Sequence, residues 1–244
     1  MKIKNALIWT KEHGFVRGGL SFDAAVRSLE FEGMEDGHAF RPLELDGAED
    51  ALDARGMYLI PGFVDVHIHG ALSHDFSDAD VAGADAIARR LVRHGVTSHL
   101  ATTMTMPEET LLQVARQTDF GTDDPARSGC LGVHLEGPFL SYRKRDAQYA
   151  EYLHKADMDM FHRIDEACHG MVKLIAVAPE TDGAMDFIER ASRETTVSLA
   201  HTTADYDTAM EAFRRGANHA THLFNGMEPM LHRAPGLVGA AMDA

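Results

Sequence analysis

From Gly62 onward the chain alternates short apolar runs with single amphipathic segments, and this alternation restricts its fold more than any other feature. Phe63–His69 reads as a first strand. Asp80–His94 then carries Val81, Ala84, Ala88, Leu91 and Val92 at helical spacing and is stopped by Gly95. Thr97–Thr103 reads as strand two. Pro107, Glu108 and Glu109 open a helix through Ala115, because proline suits the first helical turn and acids suit the positive end of the helix dipole. Strands three to six follow at Gly129–Leu135, Val172–Ala178, Val197–Ala200 and Ala220–Phe224. Helices are expected over Asp157–Cys168, Ala184–Arg193 and Tyr206–Arg215, with a polar excursion, Ser141–Glu151, after strand three. Gly239–Met242 marks where a seventh strand would begin.

Strands joined by one helix each imply βαβ units and a parallel sheet. The dinucleotide fingerprint GxGxxG does not follow the first strand, which argues against an open doubly wound fold. Functional groups at successive strand ends favour an α/β (β/α)8 TIM-type barrel over residues 61–244, incomplete at about six strands. Residues 1–60 read differently. Lys2–Trp9, Gly14–Val16, Arg27–Phe31 and Met57–Ile60 are short β-rich runs broken by Gly and Asp, and Asp53–Gly56 has turn chemistry. A small β-sandwich-type domain with a structural role is expected there.

The strand ends carry the chemistry. His67 and His69 close strand one at i and i+2, so both imidazoles point to one face. Strand three leads to Glu136, strand five to His201 and strand six to His222. Four imidazoles and a carboxylate on one barrel rim suit zinc or an iron(II)- or manganese-type divalent ion. A metal with an open position activates water and polarises a carbonyl, which points to hydrolysis of an amide or related C–N bond. Such a reaction needs a proton shuttle, and none stands out. Asp65 lies deeper on the face of His67 and His69, in a supporting place, and Asp243 has no context. His134 is expected in the core or supporting Glu136. His219 and His232 are expected at the surface or in packing, and His94, His99, His154, His162 and His169 read as plain residues.

Composition narrows the partners. Lys+Arg 23 against Asp+Glu 38 gives a net charge of −15, a field that repels nucleic acid and anionic membranes. Cys130 and Cys168 are too few for a disulfide framework. The N-terminus lacks the apolar stretch of a signal peptide, and no run is long enough to span a membrane. A cytoplasmic protein is expected.

Pro61–Gly70, PGFVDVHIHG, resembles the first-strand signature of the amidohydrolase superfamily. HLEGPFL from His134, AHTTADY from Ala200 and ATHLFNGMEPMLHRAPGLVGA from Ala220 are similar, in order and separation, to blocks of its N-acetylglucosamine-6-phosphate deacetylase family. The resemblance implies removal of the N-acetyl group from an amino-sugar 6-phosphate, one or two divalent ions, and a homo-oligomer, a dimer in the full-length family. It assigns Glu136, His201 and His222 to a main metal and His67 and His69 to a second. It assigns substrate contacts to Ala147, Gln148, Asn225, Gly226 and the phosphate-binding Arg233, whose planar guanidinium suits a phosphate.

Two departures follow. Where the family carries a Lys-Lys-Gly-Ala-His-like loop, this chain reads Lys144-Arg145-Asp146-Ala147-Gln148, and Gln148 cannot be cationic. A shift in sugar preference is expected. The family also continues past the equivalent of Ala244, where it supplies further strands and a catalytic aspartate. The expectation is therefore a chain resembling the first two-thirds of an enzyme, with two open sheet edges and no catalytic aspartate of its own. Two other readings stay open: an amidohydrolase for a different acylated amine or cyclic amide, and a non-catalytic metal- or sugar-phosphate-binding remnant.

Overall fold

The structure is a computed structural model describing residues 1–23, 26–31, 51–121 and 124–244. The chain divides into two compact units, Met1–Gly62 and Phe63–Ala244.

In the first unit β1 (Lys2–Thr10) turns at Gly14, φ +67°, into an antiparallel β2 (Gly14–Phe22), which pairs with β3 (Val26–Phe31). On its other side β1 pairs in parallel with β4 (Ala51–Asp53) and β5 (Tyr58–Leu59). Ala6, Ile8, Phe31 and Ala54 form its core. Strand β2 runs well past the expected Gly14–Val16, because Gly18 and Gly19 interrupt the apolar alternation without interrupting the ladder. Residues 32–50 of the expected β-domain lie outside the described residues.

The second unit opens with β6 (Phe63–Ile68) and a small hairpin, β7 (Gly70–Ala71) with β8 (His74–Asp75). Helices and strands then alternate: α1 (Val81–Val92), β9 (Val96–Thr103), α2 (Glu108–Gln117), β10 (Gly129–Leu135), α3 (Met158–Ala167) and β11 (Val172–Val177). The series continues with α4 (Ala184–Ala191), β12 (Thr196–Leu199), α5 (Tyr206–Arg214), β13 (His219–Ala220) and α6 (Gly236–Asp243). Asp80, Asp157 and Asp205 each cap a helix by accepting from backbone N–H groups of its first turn. The sheet runs β6-β9-β10-β11-β12-β13, with every pairing parallel.

The inner strands are buried on both faces: β11 is apolar apart from Lys173, and in β12 Val197, Ser198 and Leu199 are all buried. Val133, Leu135, Ile175, Val177 and Leu199 meet Leu111, Phe161, Ile164, Phe187 and Ile188 of the helices in the main core. Each large side chain withdrawn from water this way contributes about 1.5–3 kcal/mol.

The sheet curls. Its outer strands, β6 and β13, would lie about 24 Å apart if six strands were flat. Two residues of chain beyond β13 span only about 7 Å. Yet the rings of His67 in β6 and His222 just past β13 lie 5.9 Å apart, so the strands bend into an arc that gathers their C-terminal ends. This is the α/β barrel architecture expected from the alternation, present as six parallel strands.

Two expectations fail locally. The sixth strand does not extend through Ala220–Phe224: β13 ends at Ala220, and the chain turns, with His222 at φ +37° and Phe224 at φ +79°. Gly239–Met242 is helical, inside α6. Leu237, Val238 and Ala240 are buried, and the Tyr206 hydroxyl donates to Asp243 at 2.9 Å, tying α6 to α5. A short apolar run lacks the length for its period to separate strand from helix. Among the described residues no helix is long and apolar enough to cross a membrane.

Candidate metal centre

Glu136, the residue after β10, is 2 % exposed and sits at the middle of the gathered strand ends. Its Oε1 lies 3.3 Å from His201 Nε2, 3.1 Å from His222 Nε2 and 3.6 Å from His67 Nε2; its Oε2 lies 2.9 Å from His69 Nε2. The donor atoms form two triads, His67–His69–Glu136 and Glu136–His201–His222, each with its atoms within 4.8 Å of one another. All five residues singled out at strand ends are therefore brought together.

The backbone works to hold them. His201 and His222 occupy left-handed backbone, at φ +43° and +37°, which costs a non-glycine residue about 1–3 kcal/mol. The loop carrying His201 is anchored by Glu180, which accepts from both Thr202 and Thr203 hydroxyls and from Thr203 N–H at 2.7 Å. Gly226, at φ +62°, passes so close that a Cβ there would lie 3.0 Å from His222 Cε1 and 3.2 Å from His201 Nδ1.

The hydrogen bonds set the tautomers. His201 Nδ1 faces the Lys144 carbonyl at 2.7 Å, and His222 Nδ1 faces that of Asn225 at 2.9 Å. A carbonyl only accepts, so each Nδ1 carries the proton and donates it. In the neutral rings both Nε2 lone pairs then converge, 3.0 Å apart, on one carboxylate oxygen. Three acceptors facing one another repel unless a positive charge lies among them.

The ionisation directions report the same demand. Burial alone would raise the Glu136 pKa, but the imidazoles of His201, His222 and His69 outweigh it and hold the carboxyl far below its usual range. The Glu136 hydrogen bond raises His222. Burial pulls His69 down, yet Glu136 lifts it above its ordinary value, whereas burial lowers His67. The imidazole Nε2 atoms and the carboxylate thus fit a divalent cation, with carbonyls orienting two of the rings in the manner usual for metal-ligating histidines.

His134 lies under this cluster, fully buried, with Nδ1 2.9 Å from the Val66 carbonyl and its ring 4.9 Å from that of His67. Burial pushes it down to about 3, so it stays neutral. Asp65 Oδ1 accepts the His67 backbone N–H at 3.1 Å. Of the remaining residues singled out, Ala147, Asn225 and Arg233 are exposed, Arg233 in a turn closed by the Leu231–Ala234 bridge. Gln148 is 5 % exposed, and its amide joins Thr105 N–H to Glu136 Oε2. Sequence reasoning missed this link and the carbonyls of Lys144 and Asn225; a backbone carbonyl leaves no trace in residue identity.

A parallel α/β arc presenting histidines and a carboxylate at its strand ends is the framework of the metal-dependent hydrolases. The amidohydrolase family matches residues 58–242, and the chain belongs to it. Among curated proteins it is 41 % identical over 235 residues to the N-acetylglucosamine-6-phosphate deacetylase of Bos taurus, covering 94 % of this chain and 54 % of that protein. The Bacillus subtilis deacetylase of the same name is 36 % identical over 189 residues, covering 75 % and 48 %. The chain spans about half the length of the curated relatives it matches. An Asp-to-Ala mutant of the Mycobacterium smegmatis deacetylase, solved in complex with N-acetyl-D-glucosamine 6-phosphate, superposes with a TM-score of 0.82 at 30 % identity, covering 100 % of this chain and 61 % of that one. The Pasteurella multocida deacetylase superposes with a TM-score of 0.82 at 29 % identity, covering 100 % and 62 %.

Proposed function

We propose that this chain carries the metal-binding framework of an N-acetylglucosamine-6-phosphate deacetylase, which hydrolyses the N-acetyl group to give acetate and glucosamine 6-phosphate. The observation that carries the metal assignment is the convergence of the His201 and His222 Nε2 atoms, 3.0 Å apart, on Glu136 Oε1. The named relatives support the substrate.

His201, His222 and Glu136 would hold a first zinc, iron or manganese ion, and His67 and His69 with the same carboxylate a second. Bound there, such an ion supplies a Lewis acid for the acetyl carbonyl and lowers the pKa of water. The protein's own part is orientation. Lys144 and Asn225 carbonyls fix the ring planes, Glu180 fixes the loop after β12, and His134, neutral and donating to Val66, backs His67. Arg233 would take the phosphate, and the exposed Ala147–Asn225 side of the cluster would face the sugar. Of the two aspartates weighed from the sequence, Asp65 accepts the His67 N–H and Asp243 accepts the Tyr206 hydroxyl on α6, and neither is given the acid–base role.

The test is metal content after reconstitution together with acetate release from N-acetylglucosamine 6-phosphate. Bound metal that Glu136→Ala removes, with slow acetate release by the 244-residue chain, is the expected result. A chain that binds no metal would sink the ligand assignment. Turnover at an ordinary enzymatic rate would show that a group within the chain supplies the proton.

A further inference from the structure

Gln148 stands out among the groups around Glu136 because it neither binds as an imidazole nor faces solvent. Its Oε1 lies 2.6 Å from the Thr105 backbone N, and its Nε2 lies 2.7 Å from Glu136 Oε2. A backbone N–H can only donate, so the amide oxygen must sit at Thr105. The amide nitrogen is then compelled to face Glu136 and donate to it. Thr105 is itself fixed to the residue after β10, its hydroxyl donating to the Glu136 carbonyl at 3.4 Å. One buried amide thus joins the segment after β9, the carboxylate after β10 and the excursion beyond it.

The donation is one-sided. Oε2 receives the Gln148 N–H and is also the oxygen that His69 approaches at 2.9 Å. Oε1 receives nothing from Gln148 and faces His201, His222 and His67. A donor on one carboxylate oxygen occupies one of its lone-pair directions and draws charge from it. It also stops the carboxylate from rotating about its Cγ–Cδ bond.

We propose that Gln148 is a positioning residue for Glu136, locking the carboxylate with Oε1 turned to His201 and His222 while weakening Oε2 as a ligand beside His67 and His69. Gln148 thereby widens the difference in affinity between the two ion sites. This rests on the metal reading of the cluster given above.

The test is Zn2+ binding by the full 244-residue chain under a competing chelator, with bound metal counted per chain. Glu136→Ala serves as the control for the cluster. In Gln148→Met, which keeps length and volume but removes the donor, the tighter affinity falls 10- to 100-fold, as losses of groups orienting a metal ligand do, and the weaker one falls less or rises. Gln148→His, which restores an N–H donor at similar reach, keeps the tighter affinity within a few-fold of the parent. Circular dichroism and thermal unfolding of the metal-free proteins exclude misfolding as the cause. The proposal is overturned if Gln148→Met leaves the tighter affinity unchanged, if both sites weaken equally, or if Gln148→His is as impaired as Gln148→Met. A parent chain with no Zn2+ that Glu136→Ala removes overturns the metal reading itself, an outcome visible before any Gln148 variant is made.

Discussion

The two halves of the donor cluster share Glu136 but are prepared for a cation to different degrees. His201 and His222 each have Nδ1 engaged by a backbone carbonyl, at 2.7 and 2.9 Å, so tautomer and ring plane are set before any ion arrives. Among the described residues, His67 and His69 present buried Nδ1 atoms without a hydrogen bond of ordinary geometry. The first pair sits on left-handed turns after short strands; the second sits on and just after β6, whose ladder to β9 is interrupted between Asp65 and Ile68 but which has no residue at positive φ. Extended backbone places a pair of rings on one face without entering the left-handed region. Irregular backbone costs strain but brings carbonyls round to the rings themselves.

The shared carboxylate offers the largest test. Glu136→Ala removes a ligand from both triads and leaves four imidazoles facing each other, and bound metal is expected to fall to background in both halves. Metal analysis after dialysis reads this directly; retention of one ion per chain would mean that the halves do not depend on a common group. Next in size is the contrast between the halves. His222→Ala removes an oriented ring and should lower the tighter affinity by more than the 10- to 100-fold given by loss of a supporting group. His67→Ala should leave that affinity nearly unchanged and abolish only the weaker one. Equal losses in a chelator competition would break the comparison.

Much of this was legible because a strand's period of two and its apolar run announce where it ends. His67, His69, Glu136 and His201 were found by that means. His222 was found as a residue, but its setting was misread. THLF continues the β-like composition of Ala220, yet the Thr221 hydroxyl and Ser198 meet at 2.7 Å and the chain turns there. Gln148 was given a substrate contact by the family resemblance alone; its burial is decided by Thr105 and Glu136, 43 and 12 residues away, and no local pattern encodes that. The helix α6 was missed for the opposite reason, since GLVGAAM is apolar on every side and so carries no period.

A histidine outside the cluster separates burial from metal preparation. His99 is 1 % exposed in β9, hydrogen-bonded to Ser128 Oγ at 3.0 Å, and burial pushes it down to about 4 from 6.5. Its folded pKa lies below the unfolded one, so the unfolded chain takes up the proton first as pH falls. The stability this neutral ring contributes is complete above pH 6.5 and is lost progressively toward pH 4, by about 3 kcal/mol in all. Urea unfolding of the metal-free chain across that range, set against His99→Gln, should show the slope flatten in the variant. An equal slope in both would assign the acid sensitivity to other groups, the ligand histidines among them.

The smallest effect expected comes from a single methyl group. Gly226 holds φ +62°, and a Cβ there would come within 3.0 Å of His222 Cε1, 3.2 Å of His201 Nδ1 and 3.2 Å of Asp146 Oδ2. Gly226→Ala therefore carries the left-handed penalty of about 1–2 kcal/mol and presses on both oriented rings, while His67 and His69 are untouched. Lower stability of about that size in urea, together with a weakened tighter site and an unaltered weaker one, would show that backbone packing holds the oriented half. If stability falls and both affinities stay as they were, the rings have room to yield, and the carbonyl bonds to Lys144 and Asn225 alone keep them aligned.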